Sequence, residues 1–270
     1  MTGIEALPNP VCFPPSPRRE RLLSWFPCGR KPANMTVFCD LDGPLIDVSQ
    51  RYFKTYQLAI AQTQAHYRAQ GNPLQLTPLS FNQFWQLKQE RIPDQDIAFL
   101  SGFRFGQIDH FLSTVREIVN QPILLSEDRL QPGVEAALAT LHRWGVRLAV
   151  VTLRCQTQAV HLLQSHNLAH WFTWIRGTQD LDAAYANYAD CKQALLAEVL
   201  AQSGSSSADQ FWMIGDTEAD VLAAQAVGIS AIALTCGIRS HTYLQKLNPT
   251  HIHSDLAVAT QFLLGVGQLA

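Results

Sequence analysis

The sequence predicts an α/β protein: a parallel sheet wrapped by helices and interrupted after its first strand by a helical insertion. Three observations predict it. Four short apolar runs, "TVFCD" (36–40), "RLAVVT" (147–152), "FWMIG" (211–215) and "ISAIAL" (229–234), are apolar enough to be buried on both faces and alternate with helical patterns. Residues 48–130 carry helical patterns and almost no strand signal. Polar residues stand at the ends of three of the runs, the edge at which open parallel sheets hold their ligands.

Taken in chain order, residues 1–34 hold seven of the fourteen prolines and no apolar periodicity, so they are expected to form a disordered, proline-rich tail. Met35 stands just before the first strand and could serve as a start. The insertion reads as a helix with Tyr52, Phe53, Tyr56 and Ile60 on one face, a second around Phe81, Phe84 and Trp85, and a third with the stripe Ile108, Phe111, Leu112, Val115 and Val119. Pro132 and Gly133 turn the chain back. Val134, Ala137, Leu138 and Leu141 share a helical face that ends at Gly145, and Val160, Leu163 and Leu168 suggest another helix. Residues 192–201 and 219–227 read as helices, "SGSSS" (203–207) as a surface linker. The expected division is therefore a tail (1–34), an α/β core (35–47 and 131–270) and a helical cap (48–130).

A length of 270 residues with 47% hydrophobic content suffices for one sizeable core and a smaller domain. The formal net charge of −2 gives no basic surplus for nucleic acid or a membrane surface, and no apolar run reaches membrane-spanning length. The expected partner is a small molecule. The six cysteines form no C-x-x-C pair, and Cys39 and Cys155 lie beside the stretches that matter most, which suits a reducing, cytoplasmic setting.

Asp40 closes the first strand and Asp42 follows in "FCDLDGPLID"; Thr152 closes the second; Asp216 follows the third in "GDTEAD", with Asp220 four residues on. Lys192 opens a helix in between. Gathered at one sheet edge, four carboxylates repel one another unless a cation joins them, and an all-oxygen set suits Mg²⁺.

These residues resemble the haloacid dehalogenase-like hydrolase superfamily, whose four motifs occur here in order as "DLDGPLID", "VVTLR", Lys192 and "GDTEAD". The resemblance covers about residues 36–264, and the helical insertion is similar to the family's type 1 cap. It implies a Rossmann-like core and phosphoryl transfer. Asp40 would be the nucleophile that forms an aspartyl-phosphate, and Asp42 would protonate the leaving alkoxide and then activate water. Leu41, Thr152, Leu153 and Lys192 would hold the phosphoryl oxygens. Mg²⁺ would sit on Asp40, the backbone carbonyl of Asp42 and Asp216, with Asp220 supporting that shell. Pro44 stands where the family usually has Thr, and removes one N–H and one hydroxyl from the loop.

The expected activity is Mg²⁺-dependent hydrolysis of a small phosphomonoester, phosphoglycolate being the family-level guess. Alternatives are a sugar-phosphate mutase, a phosphonate hydrolase using a cap lysine (Lys54 or Lys88), and a non-catalytic binding protein. In the cap, Lys88, Arg91, Arg104, His110, Trp85 and Phe103 are candidates for substrate contact, and "FLSGFRFGQ" (99–107) is expected to face the site. Asp47 reads as the helix cap of the insertion, Arg154 and Arg239 as surface ion-pair partners, and "HIHS" (251–254) as a loop.

Overall fold

The computed structural model describes residues 11–12, 34–181, 183–204 and 210–265. Its strands are β1 (Val11–Cys12), β2 (Met35–Cys39), β3 (Ile46–Asp47), β4 (Arg129–Leu130), β5 (Arg147–Cys155), β6 (Trp174–Thr178), β7 (Gln210–Gly215), β8 (Ser230–Leu234) and β9 (His251–His253). Between β3 and β4 lie α1 (Ser49–Ala69), α2 (Phe81–Gln89), α3 (Asp94–Leu100), α4 (Phe105–Ile118) and α5 (Pro122–Leu125). The remaining helices are α6 (Val134–Arg143), α7 (Gln156–Ser165), α8 (Ala183–Ala186), α9 (Ala189–Gln202), α10 (Glu218–Ala226), α11 (His241–Gln245) and α12 (Leu256–Leu264).

Six strands run parallel in the order β6-β5-β2-β7-β8-β9. In chain order that is 3-2-1-4-5-6, the doubly wound Rossmann arrangement, whose strand order reverses between β2 and β7. The sheet is buried on both faces, and strand periodicity divides its side chains between two cores. Val37, Cys39, Val150 and Ile214 pack on one side with Leu138 and Leu141 of α6 and Leu163 of α7. Phe38, Ala149, Val151 and Met213 pack on the other with Leu195, Leu196 and Val199 of α9.

All four expected strands form. Two further parallel strands have no signal in the sequence reading, β6, whose "WIRGT" carries a buried arginine and a glycine, and β9, where "HIH" is expected as a loop; the short β1, β3 and β4 are also unforeseen. His251 and His253 pack their rings against Phe262. Leu168 lies beyond the end of α7. Val11–Cys12, within the expected tail, pairs antiparallel with β6; the rest of 1–33 and residues 205–209 of the expected linker lie outside the described residues.

The insertion leaves and rejoins the core through the antiparallel pair β3–β4, with Ile46 opposite Leu130 and Asp47 opposite Arg129. Asp47, expected as the cap of α1, lies one residue before it: the N-cap is Val48, which makes no side-chain cap, while Asp47 accepts a hydrogen bond from the N–H of Ser49 at 2.8 Å. Inside the cap, Tyr56 stacks on Phe84 at 4.8 Å and its hydroxyl bonds Ser101. Phe103 is fully buried and packs on Phe111 at 4.9 Å, while Phe99 and Phe105 face solvent. Residues 99–107 therefore build the insertion's interior and outer surface and do not line the cleft at the carboxyl ends of the strands. Arg104, His110 and Trp85 also lie outside the cleft lining. The expectation failed because mixed aromatic and glycine residues marked a turn between two packed helices, not a ligand face. Among the described residues no helix is long and apolar enough to cross a membrane.

Phe103→Ala should destabilise the protein by about 3–5 kcal/mol in denaturant unfolding, the usual cost of emptying a buried aromatic site. The KM of any substrate should stay nearly unchanged. A KM shift with little loss of stability would return Phe103 to the binding surface.

Candidate active site

The reversal of strand order leaves a crevice at the carboxyl ends of β2 and β7, and Asp40 and Asp216 each follow one of those strands by a single residue. A cleft of about 510 Å³, including its open mouth, forms there. Asp40, Asp42, Thr152 and Leu153 line it as expected; Lys192, Asp216 and Asp220 are buried around Asp40.

Local structure explains the spacing of the last motif. Thr217 is the N-cap of α10 and Asp220 occupies the third helical position, forming a capping box. Oδ2 of Asp220 accepts from the N–H of Asp216 (3.2 Å), the N–H of Thr217 (3.1 Å) and the hydroxyl of Thr217 (2.8 Å). Its other oxygen lies 2.8 Å from Lys192 Nζ. Asp220 thus holds the turn that presents Asp216 and anchors the lysine. Small residues make this possible. A Cβ on Gly215 would sit 2.1 Å from Asp220 Cγ, and one on Gly237 would sit 2.0 Å from Asp216 Oδ2. Gly43 has φ +95°, and a Cβ there would meet Asp216 Cγ at 2.1 Å.

Lys192 is fully buried, with Nζ 2.9 Å from Asp40 Oδ1 as well. Burial alone would drive its pKa down, but Asp220 and Asp40 outweigh that and hold it above its ordinary value as an ammonium. Asp40 also accepts from the N–H of Leu41 at 2.7 Å. Its pKa is pushed up to about 7, first by burial and further by Asp220 and Asp42, with Lys192 opposing. Asp216 is raised well above its ordinary value by burial, then by Asp220 and Asp40, while the N–H of Ile238, 2.6 Å from Oδ2, works the other way.

The oxygens of Asp40, Asp216 and Asp220 lie within 4.8 Å of one another, and Asp216 Oδ1 is buried with no hydrogen-bond partner. An orphaned carboxylate oxygen in an all-oxygen cluster fits a hard divalent cation such as Mg²⁺. Asp40 and Asp216 have oxygens to offer; Asp220 Oδ1 makes no hydrogen bond either, but it is ion-paired with Lys192 at 2.8 Å.

Asp42 sits in a different environment. Arg154 Nε and Nη2 lie 2.9 and 2.7 Å from its Oδ1, and Arg51 Nη2 lies 3.0 Å from its Oδ2. The same guanidinium groups pair with Asp128, Arg154 at 2.6 Å and Arg51 at 3.0 Å. Burial would raise the pKa of Asp42, but Arg154 and then Arg51 bring it below the usual carboxylate range. Arg154, expected at the surface, is buried: it answers two carboxylates that only the fold brings together. Arg239 is buried too.

At the cleft mouth Glu218 is gripped by Arg91 from the cap (2.6 Å) and Arg239 from the core (2.7 Å). Burial works against its charge, yet Arg239 brings its pKa down to about 2. Arg239 also donates to the carbonyl of Lys88, and the N–H of Ser240 to that of Gln89, so the cap tip rests on the core. Lys88 reaches the cleft, 2.9 Å from Asp94 and over the rings of Tyr52 and Tyr185. Ala184, Tyr185 and Asn187, from the segment before α9, complete one wall. In the Gly43–Ile46 turn, the N–H of Leu45 and of Ile46 both return to the Leu41 carbonyl, and that of Gly43 bonds the Ile46 carbonyl, so the loop closes around Pro44.

The sheet order thus gathers the aspartate after β2, the buried lysine and the carboxylate cluster at one edge of an α/β fold that carries a helical insertion. A family profile described as haloacid dehalogenase-like hydrolase matches residues 35–228, and the chain belongs to that family. It is similar to the phosphoglycolate phosphatase of Pseudomonas fluorescens, 31% identical over 125 residues, 46% of this chain and 44% of that protein. It is similar also to that of Vibrio cholerae, 28% identical over 135 residues, 50% and 57% of the two chains. The chain thus spans about half the length of the curated relatives it matches. Among solved structures, a candidate phosphatase from Clostridium difficile superposes with a TM-score of 0.64 at 21% identity, covering 86% of this chain and 98% of that one. That likeness shows the fold alone.

The raised carboxyl groups give a test of the cation assignment. Asp40, with its pKa pushed up to about 7, is partly protonated near neutral pH in the metal-free protein and must release that proton to bind Mg²⁺, and the raised Asp216 carboxyl acts in the same direction. Mg²⁺ affinity should therefore rise with pH between about pH 6 and 8, and binding heats should depend on the buffer's ionisation enthalpy. Equal heats in buffers of different ionisation enthalpy, with no pH dependence, would remove Asp40 and Asp216 from the cation site.

Proposed function

We propose that the protein is a Mg²⁺-dependent phosphatase that hydrolyses a small phosphomonoester through a phosphorylated Asp40. The observation that carries the reading is Asp40 itself: a cleft-lining carboxylate after the central strand, held 2.9 Å from a fully buried lysine and beside the orphaned oxygen of Asp216. Asp40, Asp216 and the backbone carbonyl of Asp42 would hold Mg²⁺, which when bound offsets the negative charge of substrate phosphate and carboxylates alike.

The chain's residues supply the rest. Asp40 attacks phosphorus, and the bond to the leaving oxygen breaks with its electron pair on that oxygen. Thr152, the N–H of Leu153 and the Lys192 ammonium face the phosphoryl oxygens, where charge must be stabilised. Asp42 accepts a proton from the water that attacks the phosphoaspartate, regenerating Asp40 and releasing phosphate, and the proton so held on Asp42 is the one it gives to the leaving alkoxide of the next turnover. In the described state Asp42 is held ionised by two arginines, the form that accepts a proton from water.

Beyond the phosphoryl site the cleft presents Lys88, Arg91 and Arg239 against the carboxylates of Asp94 and Glu218, three cations to two anions. One positive charge left over suits a substrate with a carboxylate next to its phosphate ester. The likeness to phosphoglycolate phosphatases supports the same class.

A panel of phosphomonoesters assayed with and without Mg²⁺ should show turnover only with the cation, highest for short carboxylated esters. Asp40→Asn should abolish acid-stable phosphate on the protein. Asp42→Asn should give a burst of nitrophenol from nitrophenyl phosphate, whose leaving group needs no proton, followed by slow turnover and phosphate trapped on Asp40. Phosphate on Asp42, or full turnover in excess chelator, would overturn the mechanism.

A further inference from the structure

We propose that Arg51 and Arg154 are positioning residues for Asp42, and that Asp128 holds the two arginines in place without touching substrate. The inference rests on the reading of Asp42 as the acid–base group of a phosphatase.

Four charged side chains form a closed ring: each of Asp42 and Asp128 pairs with each of Arg51 and Arg154, at 2.6 to 3.0 Å. None of the four side chains is more than 11% exposed. The charges balance, two of each sign. Burying four ions costs solvation that mutual attraction seldom returns in full, so such rings are a poor device for stability alone. What this one achieves is geometry. Asp42 stands in a loop, bridged to Ile46 and followed by Gly43 at φ +95°, and its side chain reaches α1 and β5. Arg154 grips one oxygen and Arg51 the other, so neither the position nor the plane of the carboxylate is free.

The four residues also come from separate parts of the chain. Asp42 and Arg154 belong to the core, in the loop after β2 and near the end of β5. Arg51 lies in the first turn of α1, and Asp128 directly precedes β4. The ring therefore ties Asp42 to the point where the insertion leaves and rejoins the core. Phosphoryl contacts are left to Thr152, Leu153 and Lys192. Asp128 does not line the cleft, which makes it the clean probe of an effect transmitted through other residues.

The test is a double-mutant cycle on turnover of a carboxylated alkyl phosphate. Asp128→Asn should lower kcat by about 10- to 100-fold with KM within about threefold. In an Asp42→Asn background the same change should cost less than about twofold, because the group it acts through is gone. Arg154→Lys, which keeps the charge and loses the forked grip, should behave in the same way and serves if Asp128→Asn fails to fold; thermal midpoints identify that case. Equal losses in both backgrounds would overturn positioning while leaving the phosphatase reading intact. A higher KM with unchanged kcat would do so too, by making these residues substrate ligands. If Asp42→Asn alone leaves turnover unchanged, the acid–base reading of Asp42 falls, and the proposal with it.

Discussion

Everything at this sheet edge depends on keeping negative charge together out of water. Asp40, Asp216 and Asp220 are buried within 4.8 Å of one another, and Asp42 lies two residues from the first of them. The fold meets the constraint with two separate sets of cations. Lys192 serves Asp40 and Asp220, leaving Asp216 with an unanswered oxygen for a divalent ion. The arginine pair serves Asp42 and brings Asp128 in as counterweight. Here burial pushes Asp40 up to about 7, while two guanidinium groups hold Asp42 down.

Much of the core was legible because its signals are local. Buried parallel strands read as short apolar runs, and the aspartates at their ends read as ligands because the crevice of such a sheet is fixed by topology. "WIRGT" escaped because a buried arginine breaks the apolar run, and "HIH" because three residues give no period to count. The site was legible where residues follow strands and illegible where partners come from afar. Arg154 lies 112 residues from Asp42 in sequence, and no spacing rule connects them. The cap divided along the same line. Its helical stripes were readable, but which residues face the core depends on how α1 and α2 pack, and that placed Lys88 and Arg91 in the cleft and Phe103 in the interior.

The capping box of α10 shows how a functional spacing can follow from a structural one. A threonine N-cap three positions before an aspartate is a common way to start a helix. In this protein the residue before the cap carries a carboxylate with one unbonded oxygen, and the capping aspartate reaches the buried Lys192. Helix initiation and charge placement are met by the same three residues, Asp216, Thr217 and Asp220.

The contact of Arg91 and Arg239 with Glu218 differs in kind from the ring around Asp42. Arg91 is 40% exposed and joins the cap tip to the core by a direct contact within reach of solvent, so dissolved ions compete with it directly. The ring is sealed from them. Ionic strength therefore separates two charged contacts that sit side by side: salt loosens the hold of the insertion's tip on the core, while the buried ring keeps its grip on Asp42.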